Sequence, residues 1–193
     1  SLLGVYNDKL PKGLKDALLE NKPIVFFLNP PYATAGIKGE KSKKGCANTM
    51  INSQMKNDKI GACCQNLYAQ FLYHILMIKR EFNLTNCHIA LFSPTLFLTG
   101  SSYTNFRKVF LNEFSFDNAI QFKANHFADV ADNWGISFSL WHNGITENKN
   151  DFQYTLVDNI EGDIVNVGKK IVYNIDNKFS ASDWIKDITS SEK

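Results

Sequence analysis

Asn29, Pro30, Pro31 and Tyr32 stand in a row directly after the apolar run Ile24 to Leu28. Their types suit one kind of chemistry. The exocyclic amino group of an aromatic base is a poor nucleophile, because its lone pair is delocalised into the ring. The Asn29 side-chain oxygen and the Pro30 carbonyl can each accept one of its two protons. Polarising both N–H bonds localises the lone pair on nitrogen as a methyl group arrives, a preorganised electrostatic effect. Pro30 and Pro31 stiffen the turn, so the acceptors need little reorganisation. Tyr32 offers a flat face on which an extruded base stacks. These four residues are the catalytic candidates, and Tyr32 is also a base-binding candidate. Two plainer readings compete. One is a strand-terminating turn, since Asn-Pro commonly starts turns. The other is a proline-rich peptide ligand, against which a strand-like lead-in and only two prolines argue.

The elements that must position this turn are legible in outline. Ile24 to Leu28 is an uninterrupted β-branched and aromatic run, which predicts a strand buried on both faces. Pro31 forces Pro30 out of the helical region and neither proline donates a backbone hydrogen bond, so the strand stops at Asn29. Ligands of open α/β sheets bind at this C-terminal end of a strand. Leu14 to Glu20 reads as a short helix, and Met50, Ile51 and Met55 let part of the segment after the turn fold as another. Gly61 to Phe82 reads as one long helix with Leu67, Phe71, Ile75, Ile78 and Phe82 as its apolar stripe. His74 lies within it and receives no role. Further strands are expected at Cys87 to Phe92, Phe116 to Phe122 and Gly135 to Trp141, with a helix over Tyr103 to Phe114 between the first two. The order β-α-β-α-β-loop-β belongs to a mostly parallel α/β sheet, and a last strand entered by a loop is free to run antiparallel.

The tetrad, followed by the helix carrying Leu67-Tyr68-Ala69-Gln70-Phe71, the strand ending in Ser93-Pro94-Thr95 and the final strand Ile136 to Trp141, resembles the amino-group methyltransferases that use S-adenosylmethionine. The likeness is greatest to the N6-adenine DNA methyltransferases of restriction–modification systems, the type IIG enzymes among them. It covers Pro23 to Trp141. The resemblance implies the C-terminal half of a Rossmann-like methyltransferase sheet, double-stranded DNA as substrate, S-adenosylmethionine as cofactor and a cytoplasmic location. It also implies a second aromatic wall for the extruded base in the loop before the last strand. Phe127 holds the matching place and Trp134 is the runner-up. His126 and Asp129 are read as loop residues, because the methylated nitrogen becomes acidic and needs no strong base. Protein-glutamine and RNA-adenine methyltransferases share the tetrad and stand as alternatives, as does a non-catalytic half-domain that contacts DNA or a partner.

The cofactor half of that family is missing from the pattern. No GxG occurs, and the 28 residues before Asn29 are too few for three strands and their crossovers. The chain is therefore expected to be a fragment, inactive alone, completed by the rest of a parent methyltransferase or by a partner chain that holds the cofactor. Residues 1–142 are read as the catalytic and target-base half. Residues 143–193 are read as a β-rich appendage or the start of a DNA-recognition region, with short strands at Phe152 to Val157, Ile164 to Val167 and Lys170 to Ile175 and a short helix at Asp183 to Ile188.

Composition narrows the class. In 193 residues, 44% are hydrophobic and 13% aromatic, as in a globular protein and unlike a disordered one. No apolar run approaches a membrane span. The net charge of +2 conceals a segregation. From Ala33 to Ile60 six lysines face Glu40 and Asp58, a balance of +4; from Asn143 onward six lysines face nine acidic residues, a balance of −3. A basic stretch after the turn is where a polyanion has to lie, and Lys38, Lys41, Lys43 and Lys44 are assigned to DNA phosphates. A solvated loop has the same composition. Cys46, Cys63, Cys64 and Cys87 form no CxxC pair, so free thiols are expected and no metal site is assigned.

Overall fold

The computed structural model describes residues 10–31, 49–126, 134–147 and 150–174. Tyr32, the phosphate-contact lysines, Cys46, Phe127, Asp129, Ile175 and the expected helix from Asp183 to Ile188 lie outside them. The described elements follow in order: α1 (Lys12–Leu19), β1 (Ile24–Leu28), α2 (Met50–Asn57), α3 (Leu67–Phe82), β2 (Cys87–Ser93), α4 (Leu96–Thr99), α5 (Thr104–Phe110), β3 (Phe114–Lys123), β4 (Gly135–Asn143), β5 (Asp151–Ile160) and β6 (Asp163–Tyr173). Short 3-10 turns cover Ala62–Gln65, Ser101–Tyr103 and Ala124–His126.

The strands form one mixed six-stranded sheet in the order β1-β2-β4-β3-β5-β6. β1 pairs parallel with β2, and β3 with β5. β4 runs antiparallel to both its neighbours, β2 and β3, and β6 runs antiparallel to β5. β1, β2, β3 and β5 therefore point one way, while β4 and β6 oppose them. The expected antiparallel last strand is β4, and it is inserted between β2 and β3. The β5–β6 hairpin continues the same sheet beyond β3.

The described helices all pack on one face. Tyr68, Leu72, Ile75 and Leu76 of α3 join Leu18, Ile51 and Met55 against Cys87, Ile89 and Leu91, with Ile24, Phe26 and Leu28 packed at the margin. Aromatic rings continue this core across the sheet. Trp141 meets Phe110 and Phe116 edge-on, each at 5.1 Å between centroids, and its indole N–H donates to Ser139 Oγ at 2.9 Å. Burying a side chain of this size stabilises by about 1.5–3 kcal/mol, so these rings dominate the core.

Five expectations need correction. β1 is not buried on both faces: its pattern alternates, leaving Val25 64% and Phe27 68% exposed. β1 is an edge strand, and the described helices all cover the face that carries Ile24, Phe26 and Leu28. The helix expected from Gly61 is broken at Asn66, whose backbone is extended. There the Cys64 carbonyl accepts from the Asn52 and Gln70 side chains instead of a following helical N–H. α3 is also rotated from the expected stripe: Phe71 is 44% exposed, while Tyr68 and Tyr73 are buried. Their hydroxyls find polar partners in Tyr103 and Asp58, so these tyrosines serve as core residues. Finally, the helix expected to reach Phe114 ends at Phe110, and the two late strands merge into β6, where Gly168 at φ +144° sits opposite the β5 register shift.

Candidate functional site

The turn sits where local chemistry requires. β1 ends at Leu28, in register with Leu91 of β2. Asn29 is exposed, Pro30 is buried and Pro31 is exposed. Because β1 and β2 are parallel, Asn29-Pro30 and Ser93-Pro94-Thr95 emerge side by side from the same sheet edge. This edge also receives the C-terminal end of β3 and the start of β4, where the Ala124 N–H donates to the Trp134 carbonyl at 3.0 Å. The described part of the site is thus a row of strand ends, positions that hold geometry well.

Ser93 escaped sequence reasoning beyond its mark as a strand end. It is fully buried, its carbonyl accepts from Ser137 Oγ at 2.8 Å, and its own hydroxyl has no hydrogen-bond partner among the described residues. Continuing the β1–β2 register places it beside Pro30. The segment after it is held by Arg107, which is buried and donates to the carbonyls of Phe97 and Gly100 and to Thr104 Oγ1. A cation at the carbonyl end of α4 suits that end's partial negative charge, and burial lowers the Arg107 pKa.

Beneath the Asn29 edge, on the face without described helices, lies an aromatic trio. Phe92 and Phe138 are 4.6 Å apart between centroids, and Phe27 approaches them at 6.0 Å and 6.2 Å. Leu140 and Ile120 extend the patch. A run of apolar side chains this broad on an open face marks a contact surface more often than chance exposure.

Trp134 is half-buried at the same sheet edge, but across the sheet from the turn. Two strand spacings separate β1 from β4, about 10 Å, and the register places Trp134 about 13 Å further along, hence roughly 16 Å from Asn29. Among the described residues the structure therefore brings together Asn29, Pro30 and Ser93, and sets Trp134 apart. Cys63, Cys64 and Cys87 are free and buried, and burial pushes the Cys63 thiol up to about 12. No group of three or more His, Cys, Asp or Glu among the described residues is arranged to hold a metal ion. No described helix is long and apolar enough to cross a membrane.

No protein-family model matches the chain, and no curated protein sequence matches it. Among solved structures, similar shapes include a protein described as "a modification subunit of a putative type I restriction enzyme from Vibrio vulnificus YJ016". Its TM-score is 0.47 at 17% identity, covering 77% of this chain and 33% of that one. Another is the DrdV–DNA complex, with TM-score 0.42 and 15% identity, covering 77% of this chain and 16% of that one. This chain thus spans about a third of the first protein's length and about a sixth of the second's. Both TM-scores lie below 0.5, too low to carry an assignment by themselves.

Proposed function

We propose that this chain is the target-base half of an S-adenosylmethionine-dependent DNA adenine-N6 methyltransferase of the restriction–modification type. The observation that carries the reading is the Asn29-Pro30-Pro31 turn at the C-terminal end of β1, with a parallel neighbour on one side and no described strand on the other. In this reading Asn29 Oδ1 and the Pro30 carbonyl accept the two amino protons of a flipped adenine. Tyr32 stacks on one face of the base and Phe127 on the other, while Lys38, Lys41, Lys43 and Lys44 meet DNA phosphates.

The open edge and the uncovered face support a completing partner. α3 links the parallel strands β1 and β2 and lies on the covered face. Parallel crossovers are right-handed in about 98% of cases. Strands added outward from the free edge of β1 by crossovers of the same hand must carry their helices on the opposite face, where Val25 and Phe27 are exposed. β1 then becomes the point where strand order reverses, and such switch points are where ligands sit.

The described residues supply no glycine-rich turn and no acidic strand end for S-adenosylmethionine, so they do not form its pocket. The cofactor, a sulfonium methyl donor, belongs in this proposal to the completing segment or partner chain. Calorimetry with residues 1–193 alone should accordingly show no micromolar binding of S-adenosylmethionine. The base-handling role is tested separately, with duplexes carrying 2-aminopurine in place of single adenines. Extrusion should raise the probe's fluorescence. Tyr32→Ala should weaken capture by roughly 1–3 kcal/mol of stacking, and Tyr32→Phe should leave it unchanged. Loss of capture in Tyr32→Phe, or none in Tyr32→Ala, would contradict the stacking role.

A further inference from the structure

A second concavity lies across the sheet from Asn29. Between the ends of β3 and β4 and the β5–β6 hairpin is a cavity of about 340 Å³, lined by Gln121, Trp134, Leu156, Val167, Asp158 and Lys170 among others. That volume falls within the range of small-molecule sites.

Gln121 is the informative residue. It is only 7% exposed, and its Oε1 is buried without a hydrogen-bond partner among the described residues. Buried polar atoms left unpaired are uncommon, because the lost hydration is not recovered. Both ends of a buried amide need a partner. Gly135 makes room for it: a Cβ there would lie 2.7 Å from Gln121 Nε2. Trp134, the next residue back, adds an aromatic ring, while Leu156 and Val167 contribute apolar wall. The charges are unequal. Asp158 is already paired with Lys123 at 2.7 Å, whereas Lys170 has no ion-pair partner among the described residues.

A ligand that satisfies all these groups has a flat ring, an edge with hydrogen-bond donor and acceptor, and an anionic group. We infer that this cavity binds one unstacked nucleotide, distinct from the base presented to Asn29. The Gln121 amide meets the base edge, Trp134 stacks on its face and Lys170 takes the phosphate. At roughly 16 Å from Asn29 by strand spacing, one base cannot serve both places. The inference goes beyond the methyltransferase reading and needs neither cofactor nor methyl transfer.

The test titrates deoxyadenosine monophosphate into the whole chain, following Trp134 fluorescence and calorimetry, with ribose 5-phosphate as the base-free control. Saturable binding is expected below about 10 mM, with weak or no binding of ribose 5-phosphate. Trp134→Ala and Gln121→Leu should each weaken binding about tenfold. Lys170→Gln should weaken it and flatten its salt dependence. Circular dichroism identifies variants that fail to fold. Lys170 is exposed, so its replacement keeps the test decisive if Gln121→Leu does not fold. No saturable binding, equal binding of ribose 5-phosphate, or affinity unchanged in folded Gln121 and Lys170 variants would overturn the inference. So would binding lost in Asn29→Ala but kept in the cavity variants, because the nucleotide would then sit at the turn. Failure here leaves the role of Asn29 to be judged by methylation alone.

Discussion

The two faces of this sheet carry similar residues and have different surroundings. On one, Phe114 and Trp141 interlock with Phe110 of α5, each at most 1% exposed. On the other, Phe27, Phe92 and Phe138 touch one another, yet Phe27 remains mostly exposed. Apolar content alone therefore does not decide burial; the side on which crossovers return does. The turn at Asn29 lies at the boundary, on a strand whose inner face is packed, whose outer face is exposed and whose outer edge pairs with no other described strand. A site at such a boundary can be fixed by one half of a fold and completed by another.

Matched truncations would break this comparison most forcefully. Phe110→Ala should cost about 3–5 kcal/mol in urea unfolding, the usual range for a buried phenylalanine. Phe27→Ser should change stability by no more than about 0.5 kcal/mol while reducing dye binding to exposed apolar surface. Equal costs at the two positions would mean that the outer face is packed in solution.

A smaller effect is expected from the segment that follows the turn. Replacing Lys38, Lys41, Lys43 and Lys44 with Gln should weaken DNA binding to a similar degree on all sequences and flatten its salt slope by up to about four contacts' worth. Unchanged affinity and slope would make that segment a solvated connection.

The smallest concerns pH, on the packed side. Burial pushes the Glu113 carboxyl up, but hydrogen bonds from Lys79 at 2.8 Å and Arg80 at 2.5 Å, with their charges, more than offset it and hold the pKa below the ordinary value of 4.5. A depressed folded pKa gives stability that is present above the unfolded value and lost as pH falls through the folded one. Glu113→Gln should thus cost on the order of 1 kcal/mol at pH 7, and the gap to wild type should close as melts are taken progressively below pH 4.5. A gap that persists at low pH would assign the loss to packing.

Local rules made the strand ending at Asn29 legible, since prolines act on their immediate neighbours. The facing of β1 was not legible, because Val25 and Phe27 are exposed through strand order and crossover hand, which no five-residue window contains. The phase of α3 differs from its apolar stripe for a related reason: Tyr68 and Tyr73 reach buried positions by way of hydroxyl partners on distant segments. Gln121 drew no notice as a polar residue in an apolar run. Its importance emerges only when Gly135 is seen beside it. Of the candidate site, Asn29 and Pro30 were legible by type and place, and Ser93 became visible only through parallel pairing.

The central claim is that Asn29 activates an amino group. The direct measurement is single-turnover methylation of duplex adenine, using this chain joined to the completing segment that the proposal assigns to the cofactor. Asn29→Ala removes an acceptor that acts mainly as the nitrogen becomes nucleophilic, so the loss should fall on turnover and not on DNA binding. The account predicts a fall of about 100- to 1000-fold in rate, with DNA affinity essentially retained. Normal turnover in Asn29→Ala, or a loss confined to DNA affinity, would contradict it.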